Sequence, residues 1–60
     1  ILVVKTVSGM AMAVAAALDA MQCREIVGSI AGDDTIMCVV RTAEDTVILM
    51  ERLYKMLESV

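Results

Sequence analysis

The order of the apolar patterns predicts an α+β fold: a two-layer sandwich, β-α-β-β-α, whose mostly antiparallel sheet carries two helices on one face. Three observations lead there. Three short runs are rich in β-branched residues, two longer stretches have helical spacing, and an acidic turn, Gly32-Asp33-Asp34, joins the second run to the third. With no internal repeat, no Pro, no linker and no low-complexity stretch, residues 1–60 read as a single domain.

The first strand is Ile-Leu-Val-Val-Lys-Thr-Val, residues 1 to 7, stopped by Ser8-Gly9. Ser8 is then placed to cap a helix in which Met10, Val14, Ala17, Leu18 and Met21 recur on one face, the face expected to pack on the sheet. A second face carries Met12, Ala15, Ala16 and Asp19, and the small residues there would let another subunit approach. Residues 25 to 31 form the second strand, with Ile26, Gly28 and Ile30 on one side and Val27, Ser29 and Ala31 on the other, apolar or small on both. After the turn, Thr35 to Arg41 forms the third strand, Ile36, Cys38 and Val40 facing opposite to Met37 and Val39. The two strands make a hairpin, for which Gly and Asp supply tolerance of positive φ and local side-chain bonds. Thr42-Ala43-Glu44-Asp45 resembles a capping box with Asp in place of Glu or Gln, opening the second helix. There Thr46, Val47, Leu49, Met50, Leu53, Tyr54 and Leu57 fill an apolar arc, opposite Glu44, Glu51, Arg52, Lys55 and Glu58.

A chain of 60 residues buries only about 60% of the surface that its unfolded form exposes. Yet 60% of its residues are hydrophobic and its mean hydropathy is +0.83. Two helices cover one side of a sheet whose central strands are apolar on both, so self-association is the expected cover for the rest. A membrane is not: the longest apolar run, Met10 to Leu18, is far short of the roughly 20 residues that a spanning helix needs. Ile1-Leu2-Val3-Val4 is a strand pattern and not the basic start of a signal peptide. A net charge of −3 opposes a phosphate backbone, so this segment does not bind DNA by itself. Cys23 and Cys38 lie in apolar settings without CxxC spacing, which points to reduced thiols in a cytoplasmic protein, with a disulfide between them left open. The chain begins inside a strand pattern without an initiator Met and is expected to be part of something longer.

Chemistry concentrates at Asp33-Asp34. Catalysis would need acid and base facing one substrate, and the chain offers no nucleophile–base pair, phosphate loop or cofactor motif, so an enzyme is not expected. No metal is expected either, since a hard cation wants several oxygen ligands and the turn lacks alternating acids. Two carboxylates hold a guanidinium or ammonium well through charge-assisted, bidentate hydrogen bonds. Asp19, a charge on an otherwise apolar helical face, is a second candidate for the same ligand.

Val27-Gly28-Ser29-Ile30-Ala31-Gly32-Asp33-Asp34-Thr35-Ile36 closely resembles the signature of the bacterial arginine repressor C-terminal domain. Ile1 to Thr6 is similar to that family's strand ending in Lys-Thr or Arg-Thr, Gly9 to its helix-leading glycine, and Leu18-Asp19 to its Leu/Ile-Asp pair, so the resemblance spans nearly the whole chain. It implies a regulator of arginine metabolism, with an upstream winged helix-turn-helix for DNA and a C-terminal domain assembling as trimer and hexamer. L-arginine, the co-repressor, would sit between facing trimers and no other cofactor is implied. By the resemblance Asp33 and Asp34 take the guanidinium, Asp19 meets the ligand's polar end, and Ser29 and Ala31 line the pocket. The Ser29 position is usually Thr, so its hydroxyl is kept. The Met12 position is commonly polar, and because a thioether cannot do an amide's hydrogen bonding, a weakened or rearranged arginine contact is expected there. Two other readings stay open: an ACT-like amino-acid-binding module, with its ligand near Ser8-Gly9, and a purely structural oligomerisation domain that has lost arginine sensing.

Overall fold

The computed structural model describes residues 1–58, with side chains to residue 56, so the expectations for Leu57 and Glu58 lie outside the described side chains. The elements run β1 (Leu2–Lys5), α1 (Ala11–Ala20), β2 (Ile26–Ala31), β3 (Thr35–Val40) and α2 (Ala43–Glu58), which is the predicted order. The sheet has the order β1-β3-β2, antiparallel throughout. β3 is therefore central. Its alternation is as expected: Ile36 and Cys38 are fully buried and Val40 packs at the margin of the core, while Met37 and Val39 are exposed. Leu2, Ile36 and Cys38 form one cluster with Ala11, Ala15 and Leu18 of α1 and Leu49 of α2, so both helices lie on the same face.

Five local expectations are corrected. In β2 a register shift between Ile26 and Gly28 puts an extra residue into the strand. Ile26 therefore joins the core side together with Ala31, leaving Val27, Gly28 and Ile30 exposed. Only one side of the strand is covered within the chain.

In α1 the core-facing residues are Ala11, Ala15 and Leu18, with Val14 beside them, whereas Met10, Ala17 and Met21 are exposed. Ala15, assigned from sequence to an intersubunit face, is in the core. The helix is apolar nearly all round, so its periodicity carries no clear phase, and the small Ala11 and Ala15 let it approach the sheet closely.

The α1 cap also differs. Met10 occupies the N-cap without a side-chain hydrogen bond; the Asp33 carbonyl accepts from Gly9 N at 3.0 Å and from Ala11 N at 3.2 Å. A backbone acceptor from the hairpin thus serves the orphan donors expected to fall to Ser8.

The hairpin itself closes through Gly32 N donating to the Thr35 carbonyl at 2.8 Å, with Asp33 and Asp34 as the loop. Among the described residues only Gly9, at 81°, and Gln22, at 52°, have positive φ, so the reversal does not use the left-handed region. In α2, Thr42 Oγ1 accepts from Asp45 N at 3.0 Å, as the capping pattern predicts. The buried stripe is narrower than the predicted arc. Leu49 is buried and Thr46 and Leu53 are half-buried, while Val47, Met50 and Tyr54 face outward.

Candidate functional site

The acidic turn lies where three elements meet. Register opposes Lys5 of β1 to Thr35 of β3, immediately after the two aspartates. Thr6 N donates to the Asp34 carbonyl at 2.7 Å, and the Asp33 carbonyl holds the start of α1, so the turn is sewn to both ends of the β1–α1 connection. The partial positive charge of a helix N-terminus adds to the favourable setting for carboxylates there.

The two aspartates are differently occupied. Asp34 accepts from Lys5 Nζ at 3.1 Å on Oδ2 and from Thr35 Oγ1 at 2.8 Å on Oδ1, and Lys5 Nζ also donates to Thr35 Oγ1 at 2.9 Å, closing a ring of three side chains. These contacts, the Thr35 hydrogen bond foremost and the Lys5 ammonium next, hold the Asp34 carboxyl below its ordinary value. Asp33 Oδ2 accepts from Ser8 Oγ at 3.0 Å. Asp33 is exposed and so open to a further cation.

The other predicted site residues are distributed around this centre. Ala31 directly precedes the turn, and Ser29 stands two residues earlier; both are half-buried on the edge strand β2. Met12 is in the first turn of α1 and strongly exposed, at 73%. Asp19 lies at the opposite end of that helix, about 12 Å from Ala11 along the axis at 1.5 Å per residue. It borders a cleft of about 210 Å³ with Gln22, Cys23, Val27 and Gly28. One subunit therefore gathers Asp33 and Asp34 but does not bring Asp19 to them.

A larger cleft, of about 700 Å³, lies between β1, α1 and α2, lined by Val4, Val7, Met10, Val14, Met21 and Leu53 among others. Its lining, apolar apart from Lys5 and Thr6, holds no acidic side chain to pair with a guanidinium, so size and chemistry point to different places and the chemistry decides. Burial raises the Cys38 thiol above its ordinary value, and both cysteines are free. No group of three or more His, Cys, Asp or Glu side chains that could hold a metal ion occurs among the described residues. No helix there is long and apolar enough to cross a membrane.

Sequence reasoning missed Lys5, Ser8 and Thr35 as partners of the acidic pair. The signal was the β1–β3 register, which local pattern does not encode.

Comparison with known proteins bears on this site. Residues 1–55 match the family model for the C-terminal domain of the arginine repressor. An arginine repressor of Lachnoclostridium phytofermentans is 67% identical over 57 residues, 95% of this chain and 38% of that protein. Those of Lachnospira eligens and Acetivibrio thermocellus are 61% and 51% identical over 59 residues, 98% of this chain and 39% of each relative. The chain thus spans about two fifths of the length of these curated relatives.

Proposed function

This chain belongs to the arginine repressor family, as its C-terminal domain, and on that premise we propose that it is the ligand-sensing and self-association unit of a transcriptional regulator of arginine metabolism. L-arginine binds at the Asp33-Asp34 turn, between facing trimers, and drives formation of the hexamer. DNA is bound by a winged helix-turn-helix outside this chain. The role is regulatory and involves no catalysis.

The observation that carries the reading is the exposed carboxylate of Asp33 at a turn held by backbone hydrogen bonds to α1 and β1. A bidentate guanidinium contact needs such an acceptor fixed before the ligand arrives. The separation of Asp19 from the pair supports a site completed by a second subunit, in which Asp19 meets the ligand's polar end. Ser29 and Ala31 then flank the turn as pocket lining. Met12, at the start of α1, offers the ligand only a thioether, which cannot do an amide's hydrogen bonding, and its contact with the ligand is weak accordingly. Family membership also favours the turn over an ACT-like site.

Self-association is supported by the uncovered face of the sheet. Val3, Met37 and Ile30 stand in one cross-strand row at 54%, 49% and 75% exposure, with Val39 beside them. An apolar face of this kind marks an interface. Six copies carry a formal charge of −18, and bound cations reduce the repulsion between facing trimers. Ligand affinity is then higher for the hexamer than for the trimer, and binding drives assembly by linkage.

The test is a titration of the chain with L-arginine that follows heat and sedimentation together. Heat accompanied by growth in mass is expected. An unchanged mass distribution, at concentrations where the assembly dissociates, would sink the linkage.

A further inference from the structure

Resting on the reading of the acidic turn as a guanidinium site, we propose that Lys5 sets the charge specificity of that site, as a built-in counter-ion that leaves one uncompensated carboxylate per turn and favours a ligand of net charge +1 over a dication. Lys5 is placed for this by the fold. It stands opposite Thr35 in the β1–β3 register, so its ammonium reaches the residue that follows the aspartates without leaving the sheet.

The ammonium donates to Asp34 Oδ2 at 3.1 Å and to Thr35 Oγ1 at 2.9 Å, while Thr35 Oγ1 donates to Asp34 Oδ1 at 2.8 Å. Both Asp34 oxygens therefore have an internal donor. A bidentate guanidinium aimed at Asp34 would compete with both donors and meet the like charge of Lys5. Asp33 has a different partner, the uncharged Ser8 hydroxyl at 3.0 Å, and keeps its charge for an incoming ligand. Lys5 and Asp34 have side-chain exposures of 67% and 47%, and an ion pair so open to water adds little to stability. Its effect falls on what approaches the turn.

L-arginine carries two positive groups and a carboxylate, for a net charge of +1. Agmatine is the same skeleton without the carboxylate, a dication. With Lys5 in place the turn presents a net charge of −1, and its ammonium repels the dication more than it repels L-arginine.

Isothermal titration of the chain and of Lys5→Met, Lys5→Gln and Lys5→Arg with L-arginine and with agmatine tests this. Lys5→Met is expected to raise agmatine affinity relative to arginine by about threefold or more, a gain that shrinks as salt screens it. Lys5→Gln, which keeps a donor but not the charge, gives the same shift, and Lys5→Arg keeps the original preference. An unaltered arginine-to-agmatine ratio in Lys5→Met and Lys5→Gln, with arginine still bound, overturns the role of Lys5 alone. Absence of arginine heat from the unsubstituted chain overturns the ligand reading, and the role of Lys5 with it.

Discussion

Gln22 closes α1 in the left-handed region, at φ 52°, with its N–H donating to the Asp19 carbonyl at 3.0 Å. That position after a helix is ordinarily glycine's, because a Cβ is strained there. Gln22→Gly is expected to stabilise the fold by roughly 0.5–1 kcal/mol, and Gly9→Ala, at φ 81°, to destabilise it by about 1 kcal/mol or more. Thermal melts at one protein concentration check both, and a pair of shifts with the same sign refutes the strain argument. Gly9 was legible as punctuation before a helix. Gln22 was not, since nothing about glutamine marks a left-handed residue. Asp34 adds a pH dependence. Its carboxyl is held below the ordinary 3.8 in the folded chain, so the folded form takes up a proton less readily than the unfolded one. The resulting stability is complete above the unfolded value and is lost as the pH falls through the folded one. Because these groups are open to water the effect is small, a slight fall in melting temperature below about pH 4. Thr35→Val, which removes the larger hydrogen bond, makes that fall shallower; an equal pH dependence in the variant counts against the Thr35 contribution.

At the scale of elements, the two helices differ in how plainly their residues announced them. The start of α2 was readable to the residue, because Thr42 stands where its hydroxyl can accept from the otherwise unpaired N–H of Asp45. Thr42→Ala is expected to cost about 1 kcal/mol, seen as a lower melting temperature with helix content retained below it. Thr42→Ser should recover most of the loss, and an Ala variant as stable as the original chain would show the cap to be idle. In α1 the existence of the helix was readable but its rotation was not. Nine of its ten residues are apolar, so every face resembles a core face, and the close approach of Ala11 and Ala15 to the sheet makes the choice. The bulge in β2 belongs to the same class. Gly28 hints at irregular pairing, yet only the partner strand decides which residue is passed over, and with it which side Val27 and Ile30 take. The acidic pair illustrates the division within the site: two charged residues at a reversal were visible in sequence, but their inequality follows from Lys5 and Ser8, 29 and 25 positions away.

For the molecule as a whole, the excess of apolar residues was legible as a need for a partner, and the fold gives that excess a location. The helices cover one face of the sheet, leaving the Val3–Met37–Ile30 row and Val39 on the other. If this face is where subunits meet, stability depends on concentration, because association adds free energy only to the folded form. The melting temperature of the chain is expected to rise with protein concentration. Met37→Lys puts an ammonium at the middle of the row, where burial against another subunit would strip it of water, and is expected to lower sedimenting mass and to flatten that rise. Val47→Lys is the control: Val47 has 55% exposure, close to the 49% of Met37, but lies on α2, across the sandwich from the open face. Equal loss of mass in both variants would mean that added positive charge disrupts assembly generally. No loss in either would place the interface elsewhere, with the 700 Å³ cleft between β1, α1 and α2 as the next apolar surface to substitute. Loss in Met37→Lys alone would locate the interface on the open side of the sheet, the side to which Lys5 also belongs by strand alternation, and so bring the approaching subunit next to the acidic turn.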